Sequence, residues 1–129
     1  MKYSGVLNVK DLNSTKQKAT NKNAFIQCIP GIKSVNGDKF YAEANMGFLK
    51  VELNGNVEEF SCSDERCVSK VLINAPGLVI KVNTTLEFST PVKWSAEVDI
   101  SGPMANMARS MAEEKVKEIS EQIMQCITA

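Results

Sequence analysis

The stretch from Gly102 to Ile127 constrains the chain more than any other. It reads GPMANMARSMAEEKVKEISEQIMQCI. Gly102 and Pro103 mark a helix start, because proline suits the first turn, where its missing N–H would have no partner anyway. Met104, Met107, Met111, Val116, Ile119, Ile123 and Cys126/Ile127 then recur at spacings of three to five, close to the helical period, and make one apolar stripe. Glu113, Glu114, Lys117, Glu118 and Glu121 fall mostly off it. At about 1.5 Å per residue such a helix is about 37 Å long. A stripe of that length needs a cover, and what precedes it reads as strands.

In Lys2–Lys10, Tyr3, Gly5, Leu7 and Val9 alternate with mostly polar residues, the pattern of a half-buried strand. Residues 11–23 are polar, with Leu12 and Ala19 as their apolar surface before Ala24, Phe25 and Ile26. Ser14 offers a cap for a short helix, and Asn21 or Asn23 for another. Helix and loop both stay open over 14–19, and packing this sparse predicts a mobile segment. Cys28-Ile29-Pro30-Gly31 then breaks any helix, and Ile32–Val35 starts a strand that ends in the hairpin signal Asn36-Gly37-Asp38.

Lys39–Gly47 places Phe40, Ala42, Ala44 and Met46 on one face. Leu49–Phe60 places Leu49, Val51, Leu53, Gly55 and Val57 on one face, and its Gly55 predicts a bulge or bend. Arg66–Asn74, a turn at Ala75-Pro76-Gly77, and Leu78–Phe88 follow; in the last, Leu78, Ile80, Val82, Thr84, Leu86 and Phe88 share a face. Pro91 opens a final strand with Val92, Trp94, Ala96, Val98 and Ile100 on one side. About seven strands thus precede one long helix. One-sided alternation means an antiparallel sheet with one wet face, and a twisted sheet of this size curls. Its concave apolar side fits the long helix. The expected fold is α+β, a curved antiparallel sheet wrapped around the C-terminal helix, with a short helical insertion after the first strand.

The chain has 129 residues, 43% hydrophobic and 23% charged, which reads as a single soluble globular domain over 1–129. Its fifteen basic and fifteen acidic side chains cancel, so no global field favours nucleic acid. Residues 1–40 nevertheless carry seven lysines against two aspartates, a local net of +5, leaving −5 for the rest. That is a solvated face, or one that docks an anionic membrane or an acidic partner. No signal-peptide core and no apolar run of spanning length is present. The expected location is cytoplasmic, with at most peripheral membrane contact. The chain has no histidine, which removes the usual neutral-pH general base and the commonest metal ligand.

Four cysteines are present. Cys28 and Cys126 read as small buried hydrophobes. Cys62 and Cys67 bracket a polar loop between two strand-like runs, which sets them opposite each other across a hairpin, where a disulfide is geometrically conceivable. A lone pair at this spacing is a weak zinc match, so no metal is expected.

The order of strand, short helical insertion, further strands and long helix resembles the helix-grip fold of START-like and Bet v 1-like (SRPBCC) proteins. Within it, the chain is similar to the carbon monoxide dehydrogenase CoxG family. The matching pieces are MKYSG at the start, CIPG at Cys28–Gly31, the run WSAEVDISGPMANMARSM from Trp94, and the helix that follows. The resemblance implies a cavity between sheet and helix that holds an apolar small molecule such as a quinone or lipid. It also implies a non-enzymatic role in the function, assembly or membrane recruitment of a molybdenum hydroxylase such as CO dehydrogenase, with an AAA+ ATPase as a further partner. Two departures stand out. Residues 13–18 are Asn-Ser-Thr-Lys-Gln-Lys where the family has bulky apolar side chains, and the sequence stops two residues after Ile127, so a membrane-attaching tail is not expected here.

The inward faces nominate Phe40, Ala44, Met46, Val51, Leu53, Ile80, Val82, Leu86, Trp94, Met104, Met107 and Met111 as cavity lining. Each is equally a core residue by pattern. Methionine is flexible and polarizable and suits surfaces that repack around ligands, which places the expected cavity near Met104–Met111 and the 11–27 segment. Tyr3, Asn45, Asn74, Thr84 and Arg109 are candidate polar contacts. Catalysis finds no support in residue types. The carboxylate pairs Glu58-Glu59, Asp64-Glu65 and Glu113-Glu114 are sequence neighbours whose side chains point apart. Two alternatives stay open. One is an adaptor without ligand, docking an AAA+ ATPase or dehydrogenase, which a core lacking several hundred cubic ångströms of space would favour; the other is a START-like hydrolase or cyclase.

Overall fold

The computed structural model describes residues 1–46 and 48–129, with Met46 described by its backbone alone. The expected strand end at Gly47 and the proposed lining role of the Met46 side chain therefore lie outside the described residues.

Strand β1 (Lys2–Leu7) is followed by two short helices, α1 (Leu12–Ala19) and α2 (Lys22–Gln27). The polar 11–23 stretch is helical because its ends are capped. The Asp11 carboxylate accepts from the Asn13 and Ser14 amides at 3.0 and 3.3 Å. Asp11, not Ser14, is therefore the cap, and the helix starts three residues earlier than a Ser14 cap predicts. The Asn21 side chain accepts from the Ala24 amide at 3.1 Å and opens α2. Thr15 and Ala19 of α1 and Phe25 and Ile26 of α2 are buried, so few side chains suffice to hold the pair down.

Strands β2 (Ile32–Asn36), β3 (Lys39–Met46), β4 (Leu49–Cys62), β5 (Arg66–Ala75), β6 (Leu78–Glu87) and β7 (Val92–Ser101) complete one antiparallel sheet in the order β1-β7-β6-β5-β4-β3-β2. The entry into β2 turns on Gly31, at φ +79°. Its carbonyl accepts from the Glu43 amide at 3.0 Å, and a Cβ there would collide with the Glu43 backbone. Gly55 does not make the bulge its sequence context suggests. The register shift falls between Val57 and Glu59, and Gly55 instead leaves room for the Phe40 ring.

Helix α3 (Ala105–Thr128) closes the concave face. Pro103 lies just outside it, and the Met104 amide donates to the Gly77 carbonyl at 2.9 Å, which ties the helix start to the β5–β6 turn. Along β7 burial alternates strictly, with Val92, Trp94, Ala96, Val98 and Ile100 inside. The helix contributes Ala105, Ala112, Val116, Ser120, Met124 and Ile127. It lies chiefly over β7 and β1, so the curled β3–β6 side of the sheet stands away from it.

Candidate ligand cavity

That standoff leaves a cavity of about 70 Å³. The sheet side is formed by Phe40 of β3, Leu53 of β4, Val71 and Ile73 of β5, and Val82 and Thr84 of β6. Phe25 and Ile29, at and just beyond the end of α2, cap it. Val116, Ile119, Ser120, Ile123 and Met124 of α3 form the opposite wall. Only Thr84 and Ser120 bring side-chain oxygens, and no lining side chain is charged. A smaller hollow lies beside it, bounded by Phe60, Cys67, Ser69 and Leu86 among others.

The cavity sits under the second half of α3, not the first, and the reason is side-chain size. The first half turns Ala105, Ala108 and Ala112 toward the core, and small residues let a helix approach a sheet closely. The second half presents valine, isoleucine and methionine, which hold the backbone off. At about 100° per residue, Met104, Met107 and Met111 lie about 100° to 160° around the helix from the Ala105–Ala112–Val116 line. They are 40%, 82% and 56% exposed, so they do not line the cavity, and the expectation of a methionine-walled pocket at Met104–Met111 is corrected.

Of the other nominated residues, Phe40, Leu53 and Val82 line the cavity. Ala44, Ile80 and Trp94 are buried away from it, Leu86 borders the smaller hollow, and Val51 is half-buried on the part of β4 that extends past β5. Among the candidate polar contacts, Thr84 is on the wall, whereas Asn45, Asn74 and Arg109 are exposed. The Tyr3 hydroxyl donates to the Glu113 carbonyl oxygen at 2.8 Å, which ties β1 to α3. Burial, and secondarily the nearby Glu113 charge, push its phenol pKa up. Sequence reading set the cavity beside the 11–27 segment without naming Phe25, and it nominated neither Val71 and Ile73 of β5 nor the second half of α3. The signal was present in the Val116, Ile119, Ile123 spacing, but which half of the helix stands off depends on the alanines, which carry little weight in an apolar stripe.

The cysteines also depart from the sequence reading. Cys28, at the end of α2, and Cys126, in the last turn of α3, are bridged, with Cα atoms 5.7 Å apart across 98 positions. They are not independent buried hydrophobes: Cys126 is exposed and Cys28 half-buried. The packing of α2 near the end of α3 brings them together, which spacing does not reveal. Cys62 and Cys67 face each other in the β4–β5 register and form a second bridge, Cα atoms 4.0 Å apart.

None of the carboxylate pairs borders the cavity. Glu58, Glu59, Asp64, Glu65 and Glu114 are exposed and Glu113 is half-buried. Among the described residues, no group of three or more His, Cys, Asp or Glu is placed to hold a metal. Nor, among them, is any helix long and apolar enough to cross a membrane.

A curved antiparallel sheet that grips a C-terminal helix over an apolar hollow defines a helix-grip protein. Residues 9–129 match the carbon monoxide dehydrogenase G-subunit (CoxG) family, and the chain belongs to that family. Solved structures share the fold. A conserved protein from Geobacillus kaustophilus aligns at TM-score 0.59 and 12% identity, over 98% of this chain and 95% of that one. A hypothetical protein from Sulfolobus tokodaii aligns at TM-score 0.53 and 13% identity, over 98% and 92%. A hypothetical protein from Helicobacter pylori aligns at TM-score 0.63 and 14% identity, over 98% and 84%. No curated protein matches the sequence.

Proposed function

We propose that this protein binds a neutral hydrophobic molecule, a quinone or a lipid, between α3 and the sheet, and that it serves a molybdenum hydroxylase such as CO dehydrogenase without itself catalysing a reaction. The observation that carries the reading is the lining, in which apolar side chains from α2, α3 and four strands converge with two hydroxyls as the only side-chain oxygens. Such a wall favours an apolar body with one or two hydrogen-bonding atoms and offers no counter-charge to an anionic headgroup. Family membership supports the link to CO dehydrogenase. At about 70 Å³ the cavity is well below the roughly 300–1,000 Å³ of ligand pockets, so on this reading uptake requires α2 or α3 to move.

Native mass spectrometry with solvent extraction of the purified protein tests this. Co-purification of a neutral apolar molecule, or binding of an added short-chain quinone, is expected. Consistent recovery of empty protein that also ignores added quinones would sink the carrier reading. The small volume favours a second reading, an adaptor that docks a dehydrogenase or an AAA+ ATPase without ligand. The two readings separate on a cavity-filling variant such as Ser120→Phe, which abolishes the action of a carrier and spares that of an adaptor.

A further inference from the structure

The Cys28–Cys126 bridge spans the two helical walls of the cavity. Cys28 follows directly on α2 and lies between the lining residues Phe25 and Ile29; Cys126 lies within one turn of the lining residues Ile123 and Met124. Helix α2 is six residues long, and apart from the bridge it packs chiefly on α1 and β2. Its middle is anchored by the fully buried Ile26 and by Phe25, whose ring meets that of Phe60 at 5.7 Å. Its last turn, running into Pro30 and Gly31, has the disulfide as its covalent tie to α3. The Cys126 side is exposed, so a reductant in solution reaches the bond.

We propose that the Cys28–Cys126 disulfide is a redox latch on the cavity. Bridged, it pins the end of α2 to α3 and keeps the cavity at its closed volume; reduced, it lets that end swing out about the Ile26 anchor so that an apolar ligand enters. The proposal rests on the reading of the cavity as a ligand site and adds its regulation. The reductant is a dithiol. One of its thiolates attacks Cys126 Sγ, the Cys28–Cys126 bond breaks, and Cys28 leaves as a thiolate that takes up a proton. The second thiol of the reductant then displaces Cys126 from the mixed disulfide. The protein gains two electrons and two protons, and the dithiol becomes a disulfide. Ligand affinity rises because the open state, almost unpopulated when bridged, becomes accessible.

The test uses the full chain and the neutral fluorophore N-phenyl-1-naphthylamine, with and without dithiothreitol. Cys62→Ala/Cys67→Ala isolates the latch, since it leaves Cys28–Cys126 as the only bridge, and Cys28→Ser/Cys126→Ser mimics the opened form. Reduction is expected to tighten dye binding about tenfold or more in both the wild type and the Cys62→Ala/Cys67→Ala variant. The Cys28→Ser/Cys126→Ser variant is expected to bind tightly without reductant and to ignore it. Hydrogen exchange at the Cys28 and Ile29 amides, which donate to Ala24, Phe25 and Ile26 carbonyls, should accelerate on reduction beyond the change that the lost loop closure brings to β5 and β6. Dye binding of equal affinity in both redox states would overturn the latch and leave the ligand site standing. Faster exchange with no dye binding in either state would overturn the ligand site, and the gating role with it. An equal acceleration at Cys28, Ile29, β5 and β6 on reduction would show the bridge to be only a staple of the whole fold, and would also overturn the latch.

Discussion

Phe40 fills the space that Gly55 leaves open on the neighbouring strand. The two residues face each other in the β3–β4 register, and a Cβ added to Gly55 would collide with the tip of the Phe40 ring. Since that ring also walls the cavity, one glycine positions part of the site. Gly55→Ala is expected to cost about 1–3 kcal/mol by overpacking, seen as a lower urea midpoint at unchanged slope. Adding Phe40→Leu to Gly55→Ala should recover part of that loss. Full additivity of the two changes would show that the ring does not depend on the glycine.

Cavity placement has a direct contrast. Ser120 is buried on the wall, whereas Met107 is 82% exposed on the far flank of α3. Ser120→Phe is expected to remove binding of an apolar probe. Met107→Trp is expected to leave binding intact and to change stability by no more than about 0.5 kcal/mol, as exposed substitutions do. Loss of binding in Met107→Trp alone would return the cavity to the first half of the helix.

The Asp11 cap is testable locally. Asp11→Ala removes the acceptor for the Asn13 and Ser14 amides and should cost about 1 kcal/mol. Amide exchange should accelerate across α1, with little change in β6 or β7. Unchanged exchange in α1 would mean that the burial of Thr15 and Ala19 alone holds the helix.

The two bridges should differ in stabilisation because they close loops of different length. Their partners lie 98 and 5 positions apart. Chain entropy then assigns about 5 kcal/mol to Cys28–Cys126 and about 2 kcal/mol to Cys62–Cys67. Denaturation of Cys28→Ser/Cys126→Ser and of Cys62→Ala/Cys67→Ala, each against the wild type, measures both. Equal losses would argue against the loop-length account.

Much of the architecture was legible because it depends on period. Val92 to Ile100 alternate at period two, and Val116 to Ile123 recur at helical spacing; each pattern survives in the structure because burial selects one face of each element. The polar 11–23 stretch was harder. Its helices depend on two capping side chains and four buried residues rather than on an amphipathic stripe, so helix and loop could not be told apart from composition.

The sequence by itself determined the element order, the wet and dry faces of the sheet, and the helix that must cover it, since all of these follow from local periodicity and turn chemistry. The tertiary structure alone decided where along that helix the cavity lies, which cysteines meet, and that the methionines face outward. Those depend on distances between elements far apart in the chain. Three small alanines draw one end of α3 onto the sheet, and bulkier side chains hold the other end off above Phe40, Leu53 and Val82.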